Sequence, residues 1–343
     1  MKALVLEKYK HLVYKDVPDP EPAQDEVIVQ VKACGICGSD IHGFDGSTGR
    51  RIPPIIMGHE ASGVIIKTGT GVKGWKSGDR VTFDSTVYHL DDWFTRRGLY
   101  NLSDNREVLG VSPGTYSRNG AFAEYVSIPQ HILYKIPENV TFNQAAMVEP
   151  AAVALHGINI SGISAGDNCL VIGAGMIGSF IIKLLRISGA SGIIAIDVND
   201  HLLLKAEKAG ADHTLLSSLQ DLHERILSLT SGRGADIAFE AVGMSASVNS
   251  AINSVRKGGK VVLVGNVSPS VEFPLQKVVT CELSILGSCA ICGEYEAVLQ
   301  YLMMEKLKVD DQIFAVARLS EGADWFDKLY KKEAGPGKVI LVP

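Results

Sequence analysis

The chain has 343 residues, a formal net charge of −5, 46% hydrophobic and 21% charged side chains, and no Lys/Arg-rich run. That balance describes a globular protein long enough for two domains, and it excludes a disordered majority or the basic footprint of a nucleic-acid binder. The start, MKALVLEKYK, has no apolar signal core, the longest apolar run (around Cys169 to Ile182) contains glycines and is too short to span a bilayer, and six scattered cysteines suit a reducing compartment; a soluble cytoplasmic protein is expected.

The first third reads as β structure. MKALVLE and HLVYKDV are short strands, Pro18 to Gln24 is a rigid polar connector, and EVIVQV alternates with period two. VIIKTG, DRVTF, AFAEYVSI and ILYKI follow, punctuated by Gly, Pro and Asp, as in a partly open barrel or sandwich. Near residue 142 the character changes. CLVIG (169–173), GIIAID (192–197), HTLL (213–216), DIAFEAVG (236–243), KVVLVG (260–265) and LSILG (283–287) are apolar strands. Helical segments such as Met176 to Ile187 and Asp200 to Ala209 lie between most of them. Six strands with intervening helices predict an α/β fold with a doubly wound parallel sheet. A helix and a terminal strand, KVILVP, remain after Gly293.

Two stretches carry chemistry. ACGICGSDIH (Ala33 to His42) and GHEASG (Gly58 to Gly63) bring a thiolate, an imidazole and a carboxylate from Cys37, His59 and Glu60, the ligand types of a four-coordinate zinc. A thiolate with two harder ligands suits a catalytic zinc with one open position. The second stretch is Gly173, Gly175, Met176, Ile177 and Gly178, which follow a strand and open a helix. In that context GxGxxG is a dinucleotide fingerprint, with the pyrophosphate at the helix N-terminus. Asp197 ends the next strand, where a carboxylate takes the ribose hydroxyls, and no Arg or Lys occupies the three positions after it, so NAD rather than NADP is expected.

With Gly58, His59, Glu60, Gly63, Gly69 and Val72 in place, the chain resembles the zinc-dependent medium-chain alcohol/polyol dehydrogenases, from about residue 25 to the C-terminus. The sorbitol, L-iditol, galactitol-phosphate and threonine dehydrogenases are of this kind. The resemblance implies a GroES-like catalytic domain over residues 1–153 and 290–343 and a Rossmann domain over 154–289. It implies Glu149 as a fourth candidate at the zinc, Ser39 as the hydroxyl that takes the substrate proton, His42 as its relay toward solvent, and Asp40 behind His59. Zinc lowers the pKa of bound water from about 15.7 to about 7, and the same stabilisation of an alkoxide would let hydride pass to nicotinamide.

Where many relatives carry a second zinc on four cysteines, this chain has His89, Asp92, Thr95 and Ser103, so one zinc is expected. Cys34 reads as a core cysteine, and Cys289 and Cys292 as candidates to line the substrate pocket. Arg50, Arg51 and Arg118 are candidates to face an anionic group such as a sugar phosphate. The expected activity is reversible, NAD-dependent oxidation of a secondary hydroxyl of a polyol or its phosphate, by a homodimer or homotetramer with a small-molecule partner only. Sorbitol itself is disfavoured, because Gly43 stands where an aromatic residue is usual. Threonine or 2,3-butanediol dehydrogenase is the alternative, and a non-catalytic NAD(P)H-binding protein a more distant one.

Overall fold

The computed structural model describes residues 1–343, which divide into two compact units, Met1–Glu149 with Ile291–Pro343, and Pro150–Ala290. In the first unit β1 (Lys2–Lys8) and β2 (His11–Asp16) form an antiparallel pair. The spine is β3 (Glu26–Gly35), whose Val27, Val29 and Val31 are buried on one face at the period of two that a strand imposes. A short helix, α1 (Gly38–Phe44), leaves its end, and β4 (Ile55–Ile56) pairs with β1. Next come β5 (Glu60–Thr68), β6 (Arg80–Phe83), β7 (Thr86–Val87), β8 (Glu107–Val108), β9 (Tyr125–Pro129) and β10 (Leu133–Lys135). Both β5 and β9 run antiparallel to β3. Helix α2 (Phe142–Ala146) follows, and then α3 (Val148–Ser161), most of which belongs to the second unit.

The second unit is a parallel sheet with helices between its strands. In chain order these are β11 (Asn168–Ile172), α4 (Met176–Ile187), β12 (Gly192–Asp197), α5 (Asp200–Ala209), β13 (His213–Leu216) and α6 (Leu222–Leu229). They continue with β14 (Ala235–Glu240), α7 (Ser245–Ser254), β15 (Val255–Leu263), α8 (Leu275–Thr280) and β16 (Ser284–Gly287). The spatial order β13-β12-β11-β14-β15-β16 is the doubly wound Rossmann arrangement, which reverses direction between β11 and β14. Parallel strands covered on both faces are apolar throughout, as Cys169, Leu170 and Val171 are, all fully buried. On α4, Phe180, Ile181, Leu184 and Leu185 are fully buried too, each contributing about 1.5–3 kcal/mol of transfer free energy.

The remaining chain, α9 (Glu294–Met303), β17 (Ile313–Arg318), α10 (Gly322–Tyr330) and β18 (Lys338–Val342), belongs to the first unit. There β18 joins β3 antiparallel, and β17 pairs with β18 at the edge of the sheet. The tail thus holds two helices and two strands, not one of each. As an edge strand β17 leaves Phe314, Val316 and Arg318 exposed although its sequence, IFAVAR, is largely apolar.

Candidate active site

The turn from β3 into α1 positions the first ligand. Cys37 is the N-cap of α1, and its Sγ accepts the Ser39 N–H at 3.4 Å and the Ser39 hydroxyl at 3.2 Å. Asp40 reaches back to accept the Cys37 N–H at 3.3 Å, so one capping box fixes Cys37, Ser39 and Asp40 together. His59 and Glu60 enter from the start of β5, where Glu60 lies opposite Gly35 of β3. One ligand atom from each of Cys37, His59 and Glu60 falls within 4.8 Å of the others. His59 Nδ1 and Glu60 Oε2 are buried and make no hydrogen bond. A thiolate, an imidazole and a carboxylate converging on one point fit a zinc ion.

Behind these groups lies a charged layer. Asp40 is wholly buried, its Oδ1 3.5 Å from His59 Nδ1 and accepting from Arg51 Nη2 at 2.9 Å. Burial alone would push the Asp40 carboxyl up, but the charges of His59 and Arg51 and their hydrogen bonds outweigh it and hold it at about 2. Burial pulls the His59 imidazolium down, yet Asp40 and Cys37 raise it well above its ordinary value, so a metal must displace a proton there. Arg51 Nη2 also donates to Ser39 Oγ at 3.1 Å. Glu60 has its own cation: Lys338 Nζ donates to Oε1 at 2.7 Å and lies 2.5 Å from Oε2. Gly35 makes room for this pair, since a Cβ there would sit 2.5 Å from Glu60 Oε2 and 3.1 Å from Lys338 Cδ. Nothing local in the sequence marks Lys338, because its partner is 278 residues away.

A cavity of about 320 Å³ opens on the site, with Ser39, His59, Ser85 and Glu149 in its wall. Ser85 Oγ donates to Glu149 Oε1 at 3.2 Å. Burial raises the Glu149 carboxyl to about 7, with His59 and Lys338 opposing and Glu60 and Asp84 adding to the rise. His42 lies on the exposed face of α1, outside this lining. Of the three arginines considered for an anion, Arg50 and Arg51 line the cavity, joined by Arg106, which the sequence did not single out. Arg51 is occupied by Asp40, and Arg118 lies elsewhere, bridging Glu26 at 2.6 Å and Glu107 at 3.1 Å. Cys292 is not in the lining either; its thiol donates to Gly98 O at 3.0 Å. Cys34 is buried in the core.

The cysteine-free lobe is knitted by hydrogen bonds. Asp92 Oδ1 accepts the Phe94 and Thr95 N–H groups at 2.9 and 3.2 Å, and Oδ2 the Asp104 N–H at 3.2 Å. The Arg97 guanidinium covers the Trp93 ring at 3.6 Å, and Ser103 Oγ accepts the His89 N–H at 3.4 Å.

In the second unit Gly173, Gly175, Met176, Ile177 and Gly178 form the turn from β11 into α4, at the point where strand order reverses. A Cβ on Gly178 would lie 1.7 Å from Gly173 O, so only glycine lets the helix pack this closely. A Cβ on Gly175 would meet nothing within 4 Å, an open cradle fitting a pyrophosphate against backbone. Asp197 ends β12, and its carboxylate accepts the Ala174 N–H at 2.7 Å and the Asn199 N–H at 3.0 Å. Glu240, at the end of β14, is wholly buried and accepts the Val242 and Gly243 N–H groups, a turn-fixing role that sequence reading missed.

Residues 23–138 match the alcohol dehydrogenase GroES-like domain, and residues 177–303 match the zinc-binding dehydrogenase family. The (R,R)-butanediol dehydrogenase of Bacillus subtilis (strain 168) is 32% identical, over 91% of this chain and 94% of that protein. A sorbitol dehydrogenase of Halalkalibacterium halodurans is 33% identical, over 100% of this chain and 99% of that protein. Among solved structures, galactitol-1-phosphate dehydrogenase from Escherichia coli matches with a TM-score of 0.92 and 27% identity, covering 100% of both chains. With GroES-like and Rossmann domains and oxidoreductase relatives acting on CH–OH groups along its whole length, the chain belongs to the zinc-dependent medium-chain alcohol/polyol dehydrogenases.

Proposed function

We propose that the protein oxidises a secondary hydroxyl of a polyol, reversibly and with NAD⁺, at a zinc held by Cys37, His59 and Glu60 with Glu149 beside them. The observation that carries this reading is the convergence of one ligand atom from each of Cys37, His59 and Glu60 against a cavity walled by Ser39 and Glu149. When bound, zinc supplies Lewis acidity and NAD⁺ the hydride acceptor. Ser39 takes the proton of the reacting hydroxyl while giving up its own toward His42, its oxygen stabilised by the donated hydrogen bond from Arg51. His42, three residues on and exposed, hands that proton to solvent. Asp40 holds the ring of His59, leaving its other nitrogen for the metal. Val108, Val111 and Pro113 give one part of the cavity an apolar lining. Gly175 receives the pyrophosphate, and Asp197 the adenosine ribose.

Glu149 and Ser85 offer a second hydroxyl hydrogen-bonding partners that a simple alcohol cannot use. A site that bonds a hydroxyl can reject an analogue lacking it by about 10⁴-fold. In steady-state kinetics polyols therefore outperform ethanol and propan-2-ol. Glu149→Ala lowers kcat more than NAD⁺ affinity, and Ser39→Ala lowers turnover with zinc retained. Monoalcohols as the best substrates, or full activity in Glu149→Ala, would sink the reading. The butanediol dehydrogenase relative favours a second one, a short vicinal diol, which the same substrate panel separates.

A further inference from the structure

A buried arginine ties together groups that the site needs in fixed places. Arg51 is buried in the cavity wall, and one of its nitrogens, Nη2, donates both to Asp40 Oδ1 at 2.9 Å and to Ser39 Oγ at 3.1 Å. A guanidinium Nη carries two N–H groups, so one nitrogen can serve both acceptors. The Asp40 oxygen it meets is the one 3.5 Å from His59 Nδ1, and the other accepts the Cys37 N–H at 3.3 Å. Ser39 in turn donates its proton to Cys37 Sγ at 3.2 Å. Two candidate metal ligands and the Ser39 hydroxyl are thus joined through a single guanidinium nitrogen.

The fold leaves room for this side chain at one place. Gly43 lies four residues after Ser39 on α1, one turn along the same helix face. A Cβ on Gly43 would sit 2.0 Å from Arg51 Cδ and 2.8 Å from Nε. The arginine stem therefore crosses α1 where glycine leaves it bare, and its end reaches Ser39. Gly43 is helical and not left-handed, so alanine would favour the helix there if the space were free. Across from α1, the backbone around Arg51 is pinned. The Arg50 carbonyl accepts the Ser112 N–H at 2.8 Å, and Ser112 Oγ accepts the Ile52 N–H at 2.7 Å.

We propose that Arg51, admitted by Gly43, is a positioning residue for proton removal, holding the Ser39 hydroxyl and the Asp40–His59 pair in one arrangement. A hydroxyl has one proton and two lone pairs. With its proton on Cys37 and one lone pair on Arg51, Ser39 keeps a single lone pair for the cavity that it lines. That lone pair takes the proton of the reacting hydroxyl as Ser39 gives up its own toward His42, a role that rests on the dehydrogenase reading above. The tie between Gly43, Arg51 and Ser39 does not rest on it. Without Arg51 the hydroxyl turns between rotamers, and the acceptor no longer waits in one place.

The test has two arms on the full-length protein. In the first, denaturant titrations compare the parent, Gly43→Ala, Arg51→Ala and the double variant. Gly43→Ala lowers the folding equilibrium constant at least about tenfold, against helix propensity, because the stem must move off the new Cβ. In the Arg51→Ala background the same change costs nothing, since the two residues touch. In the second arm, steady-state kinetics of the zinc-loaded protein with a polyol compare the same variants and Arg51→Lys. Gly43→Ala and Arg51→Ala each lower kcat about 10- to 100-fold, the scale of a misplaced reacting group, with KM within about twofold of the parent and zinc retained. Arg51→Lys, which keeps a cationic donor at shorter reach, recovers part of the loss, and the double variant is no slower than Arg51→Ala. Should Arg51→Ala fail to fold, Gly43→Ala and Arg51→Lys carry both arms. Gly43→Ala as stable and as active as the parent, losses that multiply in the double variant, or a loss confined to KM would overturn the proposal. Coupled stabilities in a protein whose parent oxidises no alcohol would instead uphold the Arg51 tie and overturn the dehydrogenase reading.

Discussion

Asp40 shows how much one side chain contributes to the site. Its carboxyl has an ordinary value of 3.8 and is held at about 2 in the folded protein. A depressed folded-state value stabilises the fold above the unfolded pKa, and that contribution is lost as pH falls through about 4 to 2. A shift of nearly two units corresponds to about 2 kcal/mol. In denaturant titrations of metal-free protein, Asp40→Asn is therefore less stable than the parent at pH 7, and the gap narrows as pH falls toward 2. A gap that stayed constant from pH 7 to pH 2 would mean that the Asp40 charge contributes nothing. Arg51→Ala removes the cation and leaves that carboxylate buried, a defect of about 3–5 kcal/mol visible in the same titrations.

At the scale of elements, the two chemical sites are built the same way, each at the junction of a strand and a helix. The cap of α1 is Cys37, the cysteine proposed to ligate the metal, so folding the helix also aims its thiol group. The turn into α4 depends on a glycine that nothing larger can replace. Gly178→Ala must push the helix from Gly173, so NADH affinity, read by fluorescence titration, falls at least about tenfold while zinc content is unchanged; unaltered affinity would contradict this packing. In the proposed function cofactor choice is set at the end of β12, by Asp197. Two unit charges about 4 Å apart at an effective dielectric near 20 repel by about 4 kcal/mol, and about 1.4 kcal/mol already makes a tenfold difference. NAD⁺ is therefore preferred over NADP⁺ by at least about tenfold in kcat/KM, and equal efficiency would remove Asp197 from the ribose.

Over the whole molecule, the chemistry is divided between two units that fold around separate cores, one rich in β structure and one a parallel sheet covered by helices. No helix is long and apolar enough to cross a membrane. One group of Cys, His and carboxylate ligands marks a metal position, and the lobe around Asp92 is closed by hydrogen bonds to backbone. Elemental analysis accordingly returns one zinc per chain, and two would refute it. Chelation abolishes activity but leaves residues 89–105 as protease-resistant as before. Asp92→Ala has the opposite signature, with zinc retained and cleavage in that lobe accelerated.

The amino-acid sequence by itself determined what depends on neighbours along the chain. The apolar strands, the Gly173 to Gly178 turn and the chemistry of Cys37, His59 and Glu60 are legible because a turn or a cap is encoded within a few residues. Tertiary structure alone decided the pairing of long side chains. Arg50, Arg51 and Arg118 look alike in sequence, yet Arg50 is exposed at the cavity, Arg51 in the same lining is buried on Asp40, and Arg118 bridges Glu26 and Glu107 elsewhere. Lys338 meets Glu60 only because β18 joins β3 at a glycine. An ion pair forms where packing brings opposite charges within about 4 Å, and that distance is set by strand register and helix placement, not by separation along the chain.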